Sequence, residues 1–288
     1  MLKASLDSLI EDNISLHCAA LAYYTLFSLA PLIVIAIAIA GFFLGPQASR
    51  GEVFTAIRQL LGDDGAHAVE GMVHHAAVSR HAGVVATWVG IGALMFGASQ
   101  AFSQLELSLN LMWKVESAPG RGLWNFLRQR LLSFSMILVI GFILLVSMVA
   151  GAALAAMGSF FVEYLPGGEL FWHAANFVIS FGVITLLFAA IFKILPDVRL
   201  AWSDVWPGAA LTAFLFDIGK LLIGLYLGKS SISSTYGAAG SLLVVLLWVF
   251  YSSAILYFGA EFTKVYSERE GKQIEPKTGA QFVEQRAA

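Results

Sequence analysis

The chain has 288 residues, of which 58% are apolar and only 12% charged, and its formal net charge is −2. A mean hydropathy of +0.78 makes lipid the default solvent, since soluble domains carry about twice that charged share. The near-neutral balance excludes the basic footprint of a nucleic-acid binder, and a single cysteine, Cys18, excludes an intrachain disulfide and a CxxC metal site.

Residues 1–20 set Lys3 against Asp7, Glu11 and Asp12. That charge is wrong for a cleavable signal peptide, so the first apolar segment is expected to stay in the mature protein. Leu2, Leu6, Ile10, Ile14 and Cys18 recur at helical spacing opposite the acids. The pattern predicts an amphipathic helix on the cytoplasmic surface. A spanning helix needs about 20 apolar residues, and six stretches qualify, at 21–45, 83–103, 132–158, 171–195, 205–227 and 240–262. The expected fold is therefore all-α: a polytopic membrane protein with six transmembrane helices and a single membrane domain over 1–266.

Pro31 falls within the first span and is expected to kink it. Tyr23, Tyr24, Thr25 and Ser28 gather hydroxyls just before that point, which suits either a cavity wall or an interfacial anchor. The insertion at 46–82 reads as two short amphipathic helices broken near Gly62–Gly65, outside the membrane. In it Asp63, His67, Glu70 and His74 are spaced 4, 3 and 4. Such a row has zinc-ligand chemistry, but ligands strung along one helix do not surround an ion, and a solvated face is favoured. No metal and no cofactor are expected.

Near the end of the second span, Glu106 and Asn110 are placed to hydrogen-bond across helices. From Trp113 to Arg130 the chain mixes Trp113, Trp124 and Phe126 with Lys114, Arg121, Arg128 and Arg130. Aromatic rings at headgroup depth beside basic groups suit an anionic leaflet. In the third span Ser147, Gly151, Ala155 and Ser159 repeat every four residues, which helix packing explains. Lys193 closes the fourth span beside Leu195-Pro196-Asp197 and is expected to snorkel.

The fifth span carries the sharpest signal. Ala209, Ala213, Asp217, Lys220, Gly224 and Gly228 fall on one arc of a helical wheel, with Leu211, Leu215, Ile218, Leu222 and Leu225 opposite. A lone charge at mid-membrane costs roughly 2.5–3.5 kcal/mol on insertion scales, so Asp217 and Lys220 should pair or face water. The pair is either an ionisable site lining a cavity or a neutralised lock between helices. Tyr236 to Ser241 opens the sixth span with small residues, and Glu261 with Lys264 closes it. The polar tail, 267–288, is expected to be cytoplasmic, and a frayed helix or disordered.

Lys and Arg placement sets the orientation. With the N-terminus inside, eleven basic residues are cytoplasmic, including Lys3, Lys114, Arg199 and Lys277. The opposite side holds four, Arg50, Arg58, Arg80 and Lys229. Both termini are thus predicted to be inside.

Leu21 to Pro31, Leu195-Pro196-Asp197, Trp206-Pro207-Gly208-Ala209, Leu215-Phe216, Gly219-Lys220 and Leu225-Tyr226-Leu227 resemble the BrkB/YihY family of bacterial inner-membrane proteins. So do Tyr236 to Ser241, Trp248, Tyr251-Ser252 and Gly259-Ala260-Glu261. Phe250 and Ala254 depart from it, standing where many members have tyrosine and glutamine. The resemblance implies a six-helix inner-membrane fold, an old ribonuclease label regarded as mistaken, and lipid transport suggested for some members. The chain has no HExxH, GxSxG or P-loop pattern.

Three functions follow, in order of preference. The first is transport or flipping of an amphipathic, anionic envelope lipid through a polar cavity formed by Asp217, Lys220, Tyr23, Tyr24, Ser28, Pro31, Lys193, Tyr236 and Glu261, with membrane lipids as partners. The second is a non-catalytic scaffold or partner subunit of an envelope complex, docking through 46–82. The third is an enzyme.

Overall fold

The computed structural model describes residues 1–44, 51, 53–55, 57–58, 66–67, 69–71, 100–117, 168–229, 238–272 and 274–283. Among these the chain is mostly helical. The third predicted span, most of the second, and part of the 46–82 insertion lie outside the described residues.

Helix α1 (Leu2–Glu11) ends on Asp12, and Asn13 follows with φ 49°. Asparagine tolerates this left-handed conformation better than most residues, and the reversal starts α2 (Ile14–Leu44) seven residues before the predicted span. The break corrects one expectation. Leu2, Leu6 and Ile10 do not share a face with Ile14 and Cys18: the first three are exposed and the last two buried. Ser5 and Leu9 turn inward instead, and α1 lies along the last long helix of the chain. Helix α2 runs on past Pro31, for roughly 46 Å at the usual rise.

Helix α3 spans 100–112 and is followed by β1 (Val115–Ser117). Then come α4 (Gly168–Ile194), β2 (Val198–Arg199), α5 (Trp202–Lys229) and α6 (Ala238–Arg269). Two further strands, β3 (Glu275–Pro276) and β4 (Ala280–Phe282), close the described chain. Residues Phe177–Ile194, Trp202–Leu222 and Leu243–Arg269 are long and apolar enough to cross a bilayer. Helix α5 packs between α4 and α6, and α6 also lies against α1 and α2. One apolar cluster joins the start of α2, the end of α3, the end of α4, the start of α5 and the end of α6. A second joins Ile33 of α2 to Val245 and Trp248 of α6, with Val69, Phe54 and Ile57 of the insertion tucked against it.

The tail is not a frayed helix. Strand β3 pairs antiparallel with β2, Arg199 opposite Glu275, and β4 pairs antiparallel with β1, Glu116 opposite Gln281. Lys277 donates its Nζ to the carbonyls of Ile194, at 2.9 Å, and Pro196, at 2.6 Å. Those carbonyls end α4, where a cation both satisfies unpaired acceptors and opposes the helix dipole. Asp204, in the first turn of α5, accepts the backbone N–H of Ala201 at 2.9 Å, a helix-start cap. Its other oxygen receives Lys272 of the tail at 2.6 Å. These contacts pin the tail over one end of the bundle, called here the tail-side end.

Candidate functional site

Helix α5 turns Val205, Gly208, Ala209, Thr212, Ala213 and Gly219 into the bundle and leaves Phe214, Leu221 and Leu222 exposed. Asp217 and Lys220 sit at the margin of the packed arc, roughly 22 Å along the helix from Trp202. Lys220 Nζ lies 2.6 Å from Asp217 Oδ1, with 33% and 22% of the two side chains exposed. The expected pairing is thus present. The ammonium also stands 5.7 Å from the centre of the Phe216 ring, a cation–π distance that favours a charge held away from water. Phe216 meets Phe188 of α4 at 5.7 Å and Trp248 of α6 at 5.6 Å, both edge to face. The pair therefore rests on an aromatic bridge across three helices.

Glycines allow this close approach. A Cβ at Gly219 would run into the Tyr251 ring of α6. Nearer the tail-side end, a Cβ at Gly208 would strike Thr263 and the Gly259 carbonyl, and one at Gly259 would strike Thr212. The two motifs are reciprocal: Thr212 donates to the Gly208 carbonyl at 2.7 Å and Thr263 to that of Gly259 at 2.8 Å. Small residues four apart on facing helices are the membrane solution to close packing. The signal was in the sequence, as Gly-x3-Thr in both spans, and was missed.

Glu261 is fully buried, with Oε2 3.4 Å from Lys264. Asp12, at the end of α1, faces it. Ser28 is buried and donates to the Tyr24 carbonyl at 2.7 Å. Tyr23, Tyr24 and Phe27 form an aromatic cluster on the exposed side of α2. Exposed rings of this kind suit the anchor reading. Lys193 is half-buried; the Pro31 side chain and Tyr236 lie outside the described residues.

Of the basic interface, Lys114 is exposed at the end of α3 with φ 52°. Arg121, Trp124, Arg128 and Arg130 lie outside the described residues. Trp113 differs from expectation: at 4% exposure it is part of the core, not a headgroup anchor. It packs into the apolar cluster that joins the ends of α3, α4 and α6. Asn110 does bond between elements, donating to Asp197 Oδ2 at 3.1 Å and accepting its N–H at 2.7 Å. Glu106 is buried. On the insertion, His67 and Glu70 are exposed and 3.8 Å apart, while Val69 between them is buried; Asp63 and His74 lie outside the described residues.

Similar proteins place the chain. A putative ribonuclease-like protein, YfkH, of Bacillus subtilis is 25% identical over 88% of this chain and 90% of its own length. A UPF0761 membrane protein of Pseudoalteromonas translucida is 26% identical, over 90% and 83%. Another, of Alteromonas mediterranea, is 28% identical, over 92% and 87%. No solved structure matches. The family model for virulence factor BrkB matches residues 5–282. With apolar helices of spanning length, relatives named as membrane proteins and a family match over nearly the whole chain, this is a membrane protein of the BrkB family.

Proposed function

We propose that the protein moves an amphipathic envelope lipid with a phosphate-bearing head across the bacterial inner membrane. In this reading it crosses that membrane six times, with both termini in the cytoplasm. The observation that carries it is the Asp217–Lys220 pair, neutralised and set on aromatics at mid-helix, yet left part open at the edge of the α5 packing face. A structural lock has no reason to stay open. An anionic head passing that point exchanges one partner of Lys220 for another and never leaves the cation unpaired. Purified protein in liposomes should move fluorescent phospholipid between leaflets faster than protein-free liposomes; equal rates overturn the reading. Cysteine labelling from each side, at Glu268 and at Gly71 of a chain with Cys18 replaced by alanine, tests the orientation.

A second reading, a non-catalytic scaffold, is favoured by one observation. The reciprocal glycine–threonine contact leaves α5 and α6 little freedom to separate at the tail-side end. Exchanging Asp217 and Lys220 discriminates. A scaffold keeps its function after the exchange, because either order neutralises the charge. A directional headgroup path does not.

A further inference from the structure

At the tail-side end, two depressions share Asn13. One, of about 630 Å³, sets Glu11, Asp12, Asn110, Lys114 and Glu116 into a wall otherwise made of leucine and valine side chains. The other, of about 400 Å³, is apolar, walled by Leu6, Leu9, Ile10, Cys18, Phe250 and Ala254. Both volumes fall in the range of about 300–1,000 Å³ typical of small-molecule sites.

We infer that the two depressions form one binding site for a phospholipid whose head carries a primary ammonium beside its phosphate. The apolar groove lies between α1, the start of α2 and α6, and its rim residues Leu6 and Ile10 are exposed together with Leu2. That rim is continuous with the outward apolar face of α1, so an acyl chain entering the groove buries surface that the fold leaves open. Past the reversal at Asn13 the lining keeps apolar side chains and gains charged and amide ones, as the ester and head region of a lipid requires.

Charge selects the head. Among the described residues of this wall, Lys114 is the one cation and suits a phosphate oxygen, while Glu11, Asp12 and Glu116 are three anions. A head with phosphate alone gains one favourable contact and meets three carboxylates. A primary ammonium offers three donors for charge-assisted hydrogen bonds to them. A second observation points the same way. Glu261, fully buried, is held by Lys264 through Oε2 at 3.4 Å and also faces Asp12, and its Oε1 has no hydrogen-bond partner among the described residues. A cation at Asp12 relieves the repulsion between these two carboxylates.

The site does not rest on the transport reading, because a lipid held here need not cross. The test uses the full chain in phosphatidylcholine nanodiscs with a trace of phosphatidylethanolamine bearing a photoreactive acyl chain. Labelling is expected on α1 and α6 near Ile10 and Phe250, displaced about tenfold better by phosphatidylethanolamine than by phosphatidylglycerol. Glu11→Gln with Glu116→Gln, both exposed and safe for folding, should erase that preference, and Lys114→Gln should weaken both competitors. Labelling elsewhere, equal competition, or a preference that survives the carboxylate changes overturns the site. Labelling as expected in a protein that moves no lipid leaves the site standing and removes only the transport reading.

Discussion

Two acid–base pairs with the same spacing lie on neighbouring helices, and their surroundings differ. Glu261 and Lys264 of α6 are 0% and 13% exposed and 3.4 Å apart. They sit where α1 and the glycine–threonine contact close the bundle. Asp217 and Lys220 of α5 are closer, at 2.6 Å, and more open, at 22% and 33%. The comparison teaches that spacing alone does not decide what a membrane ion pair does. A pair with no exposed acid acts in packing, whereas a pair at the edge of a packed face keeps a side available to something else.

The largest expected effect comes from breaking the closed pair. Glu261→Ala leaves Lys264 without its partner in a buried setting, and the loss should be about 3–5 kcal/mol. Asp217→Ala, at the open pair, should cost within about 1 kcal/mol once exposure is allowed for. Thermal unfolding of the detergent-solubilised protein, read by size exclusion, measures both; equal losses break the comparison.

Next are the glycines beside the closed pair. Gly208→Ala and Gly259→Ala insert a Cβ where Thr263 and Thr212 already stand, and overpacking of this kind costs about 1–3 kcal/mol. Gly182→Ala, with nothing among the described residues within 4 Å of the new carbon, should not lower the same unfolding temperature.

The smallest effect concerns the tail. Hydrogen bonds to Asp204 and Glu270 hold the Lys272 ammonium above the usual lysine range, and the bond from Lys272 holds Glu270 below the usual carboxylate range. A raised lysine contributes stability that is lost as pH rises through its folded value, and a depressed carboxylate one that is lost as pH falls through its own. A nitroxide at Val283 should therefore stay immobile across neutral pH and loosen at both extremes. Lys272→Gln should narrow that window; mobility independent of pH contradicts the docked tail.

Apolar runs made α4, α5 and the start of α6 legible within three residues, though α6 runs seven residues past its predicted end, and the Asp217–Lys220 pairing followed from the cost of a lone charge in lipid. The tail was not legible. Strands of two and three residues carry no period to read, and Lys272 meets Asp204 across 68 positions. The start of α2 was missed because one left-handed residue, Asn13, interrupts a spacing that otherwise reads as continuous. Trp113 was misplaced because composition cannot tell a ring packed in the core from one at a headgroup.

The most direct test of the open pair's role is lipid movement in liposomes by three proteins in parallel: the unchanged chain, Asp217→Asn, and Gly182→Ala as a neutral control. The account predicts movement by the first and third and none by Asp217→Asn, although that variant unfolds within a few degrees of the unchanged chain. Movement by Asp217→Asn at the unchanged rate contradicts it.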